Sequence, residues 1–181
     1  LKPIHAQGYY NVSLVKNKWR IWEVVNYYYY DEKAELAETV HKPFKYREEI
    51  ERAWQNMQAA LDEEEVRING EKVRVIVRNT SLEFVGFAEI PYFTFILEFE
   101  GPYKKDDVNC FENSFEGGEA EYDYEAYWLF PPGWRVSEAS TSCEYDVPDE
   151  EGRILMLWCR RGDKIRGYER ICWEPSEDEP S

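Results

Sequence analysis

Histidine is almost missing from this 181-residue chain: His5 and His41 are the only two. A histidine-based triad or a multi-histidine metal site therefore has almost no material. The sequence also lacks a Gly-x-Ser-x-Gly elbow and a glycine-rich phosphate loop following a strand, which removes the common hydrolase and nucleotide-binding motifs. Long apolar runs are lacking too. None approaches the roughly 18 residues that a membrane-spanning helix requires. Basic charge is scarce: 22 Lys plus Arg stand against 37 Asp plus Glu, a net charge of -15. Such a surface repels the phosphates of nucleic acid and of anionic lipid, so neither is an expected partner.

What is present is aromatic. Tyr, Trp and Phe make up 17% of the residues and the hydrophobic fraction is 43%, enough apolar surface to offset the entropy of ordering one domain. The acid is unevenly spread. Residues 1–60 carry nine basic and eight acidic side chains, residues 61–181 carry 13 and 29. The Glu-, Tyr- and Arg-rich composition is of a kind found in thermophilic proteins.

The four cysteines, Cys110, Cys143, Cys159 and Cys172, all fall in the second half. No two form the short Cys-x2–4-Cys knuckle of a zinc site, so an even count reads as disulfides, with three pairings open. Disulfides imply an oxidising compartment, intracellular proteins of hyperthermophiles excepted. Two glycosylation sequons, at Asn11 and Asn79, point the same way. No charged region followed by an apolar stretch follows Leu1, so any secretion signal is expected to have been removed already or never to have existed.

Along the chain, β-branched and aromatic residues from Tyr9 to Val15 and from Trp19 to Tyr30 flank Lys16-Asn17-Lys18 and predict a hairpin. The run Tyr27 to Tyr30 puts two phenols on each face of a strand. Residues 31–45 read as a polar connection ending near Pro43. Ile50, Ala53, Trp54, Met57, Ala60 and Leu61 share one face of a helix predicted over Tyr46 to Leu61. Asn69-Gly70, between alternating valines and charges, predicts a tight hairpin. From Asn79 onward seven strands with turn signals about every twelve residues predict a mainly β, antiparallel β-sandwich, immunoglobulin-like or jelly-roll-like, with one accessory helix and the N-terminal hairpin. On this reading 1–181 is one domain: 1–78 elaborate it, 79–173 form the sandwich core, and 174–181 are an acidic tail.

The cadence from Tyr124 to Trp173 carries a family likeness. It runs through an aromatic strand, the corner Phe130-Pro131-Pro132-Gly133-Trp134-Arg135-Val136, a strand ending near Leu157-Trp158, then Arg161-Gly162-Asp163 and a final strand. It resembles the immunoglobulin-like β-sandwich modules of prokaryotic, particularly archaeal, cell-surface and secreted proteins. That resemblance implies an extracellular scaffold or adhesion role and brings no catalytic residue with it.

The expected function is therefore a non-catalytic extracellular or cell-surface protein, a structural or adhesive subunit of a surface assembly or filament. Self-association or other surface proteins are the expected partners, with residues 1–14 able to complete a neighbour's sheet by strand addition. Two other readings stay open. A carbohydrate-binding module would use aromatics such as Tyr28, Tyr30, Trp128 or Trp134. A glycoside or peptide hydrolase would use a pair of carboxylates. No resident cofactor is expected, apart from calcium: period two places Glu119, Glu121, Asp123 and Glu125 on one strand face, where basic side chains or a calcium ion would have to neutralise them.

Overall fold

The computed structural model describes residues 1–177. Its first two strands, β1 (Lys2–Val15) and β2 (Lys18–Tyr30), pair from Lys2 opposite Tyr30 to Val15 opposite Lys18, which leaves Lys16-Asn17 as a two-residue turn. Both turn residues sit at positive φ (52° and 60°), the twist that matches two right-handed strands. Then follow two helices, α1 (Glu35–Val40) and α2 (Pro43–Glu63), and the strands β3 (Glu65–Ile68), β4 (Glu71–Val73), β5 (Ile76–Phe84), β6 (Pro91–Pro102) and β7 (Asn109–Ser114). The remaining strands are β8 (Gly118–Glu119), β9 (Asp123–Leu129), β10 (Trp134–Ser140), β11 (Glu144–Asp146), β12 (Ile154–Cys159), β13 (Lys164–Ile165) and β14 (Tyr168–Pro175).

The strands form a sandwich. A seven-stranded sheet has the order β11-β12-β9-β1-β2-β6-β5, a five-stranded sheet the order β10-β14-β7-β3-β4, and β8 with β13 makes a small ribbon. Every pairing is antiparallel except that of β1 with β9, which is parallel. The N-terminal hairpin is no appendage. β1 and β2 lie at the centre of the larger sheet, and both sheets hold strands from either side of residue 78, so the division into elaboration and core does not follow the strand pairing. β1 is paired by β2 along its length and by β9 from His5 to Asn11, so over that central stretch its main chain has no free edge to offer a neighbour.

Other boundaries move for local reasons. Residues 31–45 hold α1, whose first turn is tied by the Leu36 N–H donating to Asp31 Oδ2 (2.9 Å) while Leu36 enters the core. Pro43 opens α2 rather than ending a connection, because its fixed φ suits the first helical position and its missing N–H costs nothing there. Glu174 and Pro175 belong to β14 and pair with Arg135 and Trp134, so the acidic tail begins later than residue 174; residues 178–181 of it lie outside the described residues.

The sandwich is filled at one end. Trp19 is wholly buried and meets Trp134 and Trp173 edge-on, with ring centroids 4.9 and 5.3 Å away. Beside them the sheets touch: a Cβ added at Gly101 on β6 would come within 2.5 Å of Ile68 Cβ on β3. The buried polar hub there is Asn109. Its Oδ1 accepts from Trp19 Nε1 (2.9 Å), Asn69 Nδ2 (2.8 Å) and the Lys104 N–H (2.8 Å), and its Nδ2 donates to the carbonyls of Lys104 and Asp107. Asn69 is the first residue of the tight Asn-Gly turn, so the turn and the core share one network. Two disulfides complete the frame, Cys110–Cys172 across β7 and β14 and Cys143–Cys159 between the loop after β10 and the end of β12.

Candidate functional site

At the opposite end the inner faces are not filled. Along β2 the inward residues are Trp19, Ile21, Glu23, Val25, Tyr27 and Tyr29, so the same face that closes one end with indole carries a carboxylate and two phenols towards the other. β1 contributes Tyr10 opposite Glu23 and Gly8 opposite Val25. β14 contributes Glu169, four residues before Trp173 on the same face. Glu64, at the end of α2, and Asn113 on β7 come in from the five-stranded side.

Between these residues lies a cavity of two lobes that meet around Tyr10, Glu23, Tyr27, Tyr124 and Glu169. One lobe, about 740 Å³, is roofed by α2 through Ala53, Met57 and Leu61 and floored by Val25, Phe93 and Phe95. The other, about 700 Å³, opens towards Glu116, Glu119 and Glu121 and among the described residues is lined by no Lys or Arg. Each is large enough for a drug-sized molecule. Helix α2 has no fully buried residue although six of its apolar or aromatic side chains pack on the core, because its inner side faces the cavity rather than a solid layer. It is held at the edge by Gln58, which donates to the Val75 carbonyl and accepts from the Val77 N–H (both 2.9 Å).

Carboxylates in such a place ionise reluctantly. Burial pushes Glu23 from 4.5 up to about 8; the Tyr10 hydroxyl donates to it and offsets part of the rise, while Glu64 and Glu169 add to it. Burial and the neighbouring Glu64 raise Glu169 to about 7. Glu64 is also raised by burial, with the Asn113 side-chain amide donating to it (3.2 Å) and opposing the rise. Desolvation likewise holds the phenols of Tyr10 and Tyr27 well above their ordinary range, and Tyr124 up to about 12, so all three stay protonated. None of the three glutamates forms an ion pair among the described residues. Among the described residues no hydrogen bond reaches the Glu169 carboxyl and none reaches the buried Asn113 Oδ1. The site is rich in oxygen acceptors and poor in cations.

Of the binding residues expected from sequence, Glu119, Glu121, Glu125 and Trp128 line the second lobe, and the others fall elsewhere. Tyr28 lies on the outer face of the larger sheet, its ring 5.1 Å from Tyr92 and 5.9 Å from His5; Tyr30 is exposed at the end of β2. Trp128 is fully buried, stacked on Tyr10 (4.1 Å) in the wall of the second lobe and not on the outer surface, and Trp134 is half-buried against Trp19. Asn11 and Asn79 are both exposed, Asn79 at the bulge in β5. The acidic row is broken, because β8 ends at Glu119, Ala120 turns into the core, and β9 begins at Asp123. Glu121 edges the cavity, Asp123 pairs with Arg160 (3.6 Å), and Glu125 accepts from Gln7 (2.6 Å). Among the described residues no group of three or more His, Cys, Asp or Glu is arranged to hold a metal. All four cysteines are bridged.

Sequence reading missed Glu23, Glu64, Glu169 and Tyr10. The signal was present for two of them: Glu23 interrupts the apolar stripe Trp19, Ile21, Val25, and Glu169 extends the stripe of Ile171 and Trp173. A carboxylate on a face otherwise meant for the core is either paired or functional.

No family model matches the sequence, and no curated protein matches it. Among solved structures, yeast LTA4 hydrolase in complex with bestatin is similar at 10% identity with a TM-score of 0.32, over 99% of this chain and 29% of that one. The native yeast enzyme gives 8% identity and the same TM-score over 94% and 28%. This chain thus spans less than a third of that enzyme, at a likeness too low to bear on fold or function.

Proposed function

We propose that this protein is a non-catalytic binding protein of an oxidising, extracellular or cell-surface setting, and that it takes a small ligand into the cavity between its sheets. The observation that carries the reading is the unfilled, aromatic-lined end of an otherwise close-packed sandwich, with Glu23 and Glu169 facing into it. Interiors are normally packed to crystal density, so a void of this size with convergent polar groups is the usual form of a ligand site. The two disulfides support the compartment. A hydrolase would need one carboxylate held ionised beside a protonated one. Burial raises both Glu23 and Glu169, and no ion pair counters it on either, which favours binding over turnover.

The test uses an uncharged apolar dye, N-phenylnaphthylamine, whose fluorescence rises on entering an apolar cavity. Saturable enhancement is expected with the parent protein and loss of it with Gly8→Leu, whose side chain would project beside Glu23; a Cβ at Gly8 already lies 3.6 Å from Glu23 Oε1. A folded Gly8→Leu protein that binds the dye like the parent would sink the reading.

A second reading, glycan binding on the outer face of the larger sheet, draws support from the exposed side of the tyrosine run. Tyr28 lies there beside Tyr92, and Tyr9 stacks on Tyr127 at 5.1 Å. A glycan array read with and without chelator, repeated with Tyr28→Ala, tests it.

A further inference from the structure

The groups that meet where the two lobes join are chemically one-sided. Glu23 enters from β2, Glu169 from β14 and Glu64 from the end of α2, while β1 brings Tyr10 and β9 brings Tyr124, all of them oxygen groups able to accept a hydrogen bond and none a cation. Among the described residues the one Lys or Arg lining either lobe is Arg52 at the helix-covered end, and its guanidinium already donates to Glu49 (2.7 Å). Aromatic faces surround the carboxylates, and behind them Val25, Phe93 and Phe95 offer an apolar floor. Outside, a net charge of -15 draws cations towards the molecule.

We propose that the cavity is a site for a protonated organic amine, its ammonium group seated between Glu23 and Glu169 and its apolar or aromatic body lodged in the helix-covered lobe against Tyr27, Phe93 and Phe95. The proposal rests on the reading of this cavity as a ligand site and adds the chemical class of the ligand. Three physical reasons single out that class. An ammonium supplies the N–H donors that Glu169 lacks. Its charge is attracted by the quadrupoles of the enclosing tyrosines. Finally, carboxyls desolvated without a cation hold their protons more tightly, and a cation replaces that proton at lower cost than bare ionisation. Binding is then an exchange: the amine enters as R–NH3+, a carboxyl becomes carboxylate, and its proton leaves to solvent. The uncharged alcohol of the same shape gains none of this.

The titratable groups around Glu23 and Glu169 are Tyr10, Tyr27, Tyr122, Tyr124, Glu64 and Glu121, and the phenols are held protonated, so only carboxyls exchange protons near neutrality. Affinity for an amine is therefore expected to rise through the range in which Glu169 and then Glu23 would otherwise hold protons, from about 7 to about 8, until the amine loses its own.

The experiment is isothermal titration of the full chain with phenethylamine, hexylamine and diaminobutane as hydrochlorides, and with phenethyl alcohol as the uncharged isostere, in two buffers of different ionisation enthalpy. At least one amine is expected to bind about tenfold or more tightly than the alcohol, with a buffer-dependent enthalpy that reports proton release. Glu23→Gln and Glu169→Gln, which keep shape and remove the cost of ionisation, are expected each to lose about tenfold in amine affinity. Glu112→Gln, on the outer face of β7, is expected to leave affinity unchanged. Proton release is read on the parent protein, so the proposal stands or falls even if a Gln variant misfolds. If the alcohol equals the amines, or no amine binds while N-phenylnaphthylamine still enters, the amine assignment is overturned and the cavity reading survives. If the dye also fails to enter, both fall.

Discussion

At the residue scale the two ends of the sandwich pose one problem, buried polar atoms, and solve it differently. Asn109 is buried and fully satisfied: three donors converge on its oxygen and two carbonyls take its amide hydrogens. Asn109→Ala leaves the Trp19 indole N–H, an Asn69 amide hydrogen and the Lys104 N–H competing for acceptors, and should lower the unfolding free energy in urea by about 3 kcal/mol. Glycine at 101 is equally specific. An added methyl would overlap Ile68 Cβ across the closed end, so Gly101→Ala should cost about 1–3 kcal/mol in the same assay, since neither strand can retreat from a packed core. Glu23 and Glu169, by contrast, line the cavity half-buried and without a counter-charge, and desolvation there raises them to about 8 and about 7.

At the scale of elements, the contrast is between β2 and α2. β2 is paired along its length by β1 and β6 and its inward residues Trp19 and Ile21 are inaccessible to water. α2 runs 21 residues, carries Asp62 paired with Arg74 and Gln58 bonded to the neighbouring edge, yet buries no residue fully. An element with fewer buried contacts opens at lower free energy than the sheet it covers. Native-state hydrogen exchange should therefore show the amides of α2 exchanging by sub-global opening, well before those of β1, β2 and β6. A cavity ligand should slow α2 more than any strand.

For the whole molecule, the buried carboxyls set the response to pH. In the unfolded chain Glu23 and Glu169 titrate near 4.5; in the folded chain they titrate at about 8 and about 7. Between those values the folded state binds more protons than the unfolded state, so stability is present in full below the unfolded value and is lost as pH rises through the folded ones. The melting temperature of the ligand-free protein should thus fall from about pH 5 to about pH 8, each group contributing a slope of about 1.4 kcal/mol per pH unit while the two states differ by a proton. Glu23→Gln and Glu169→Gln should each flatten that profile and raise the melting temperature at the alkaline end. The disulfides act on the unfolded chain. Cys110–Cys172 closes 62 positions and Cys143–Cys159 closes 16, so replacing each pair by serine should cost about 4 and about 3 kcal/mol respectively.

Local patterning alone determined a good deal of this protein. Period-two alternation and the turn residues Asn69-Gly70 specify strands and hairpins, the helical spacing from Ile50 to Leu61 specifies α2, and an even number of cysteines specifies bridges, because each signal acts over a few neighbouring residues. What tertiary structure decided is pairing between distant segments: that β1 lies parallel to β9 at the heart of a sheet instead of hanging free, that Cys110 meets Cys172, and that Ala120 breaks the acidic row by turning inward. The cavity belongs to the same class. Glu23 and Glu169 are 146 positions apart and meet only because two sheets that touch at Gly101 and Ile68 leave space at their other end, a consequence of packing that no single stretch of sequence encodes.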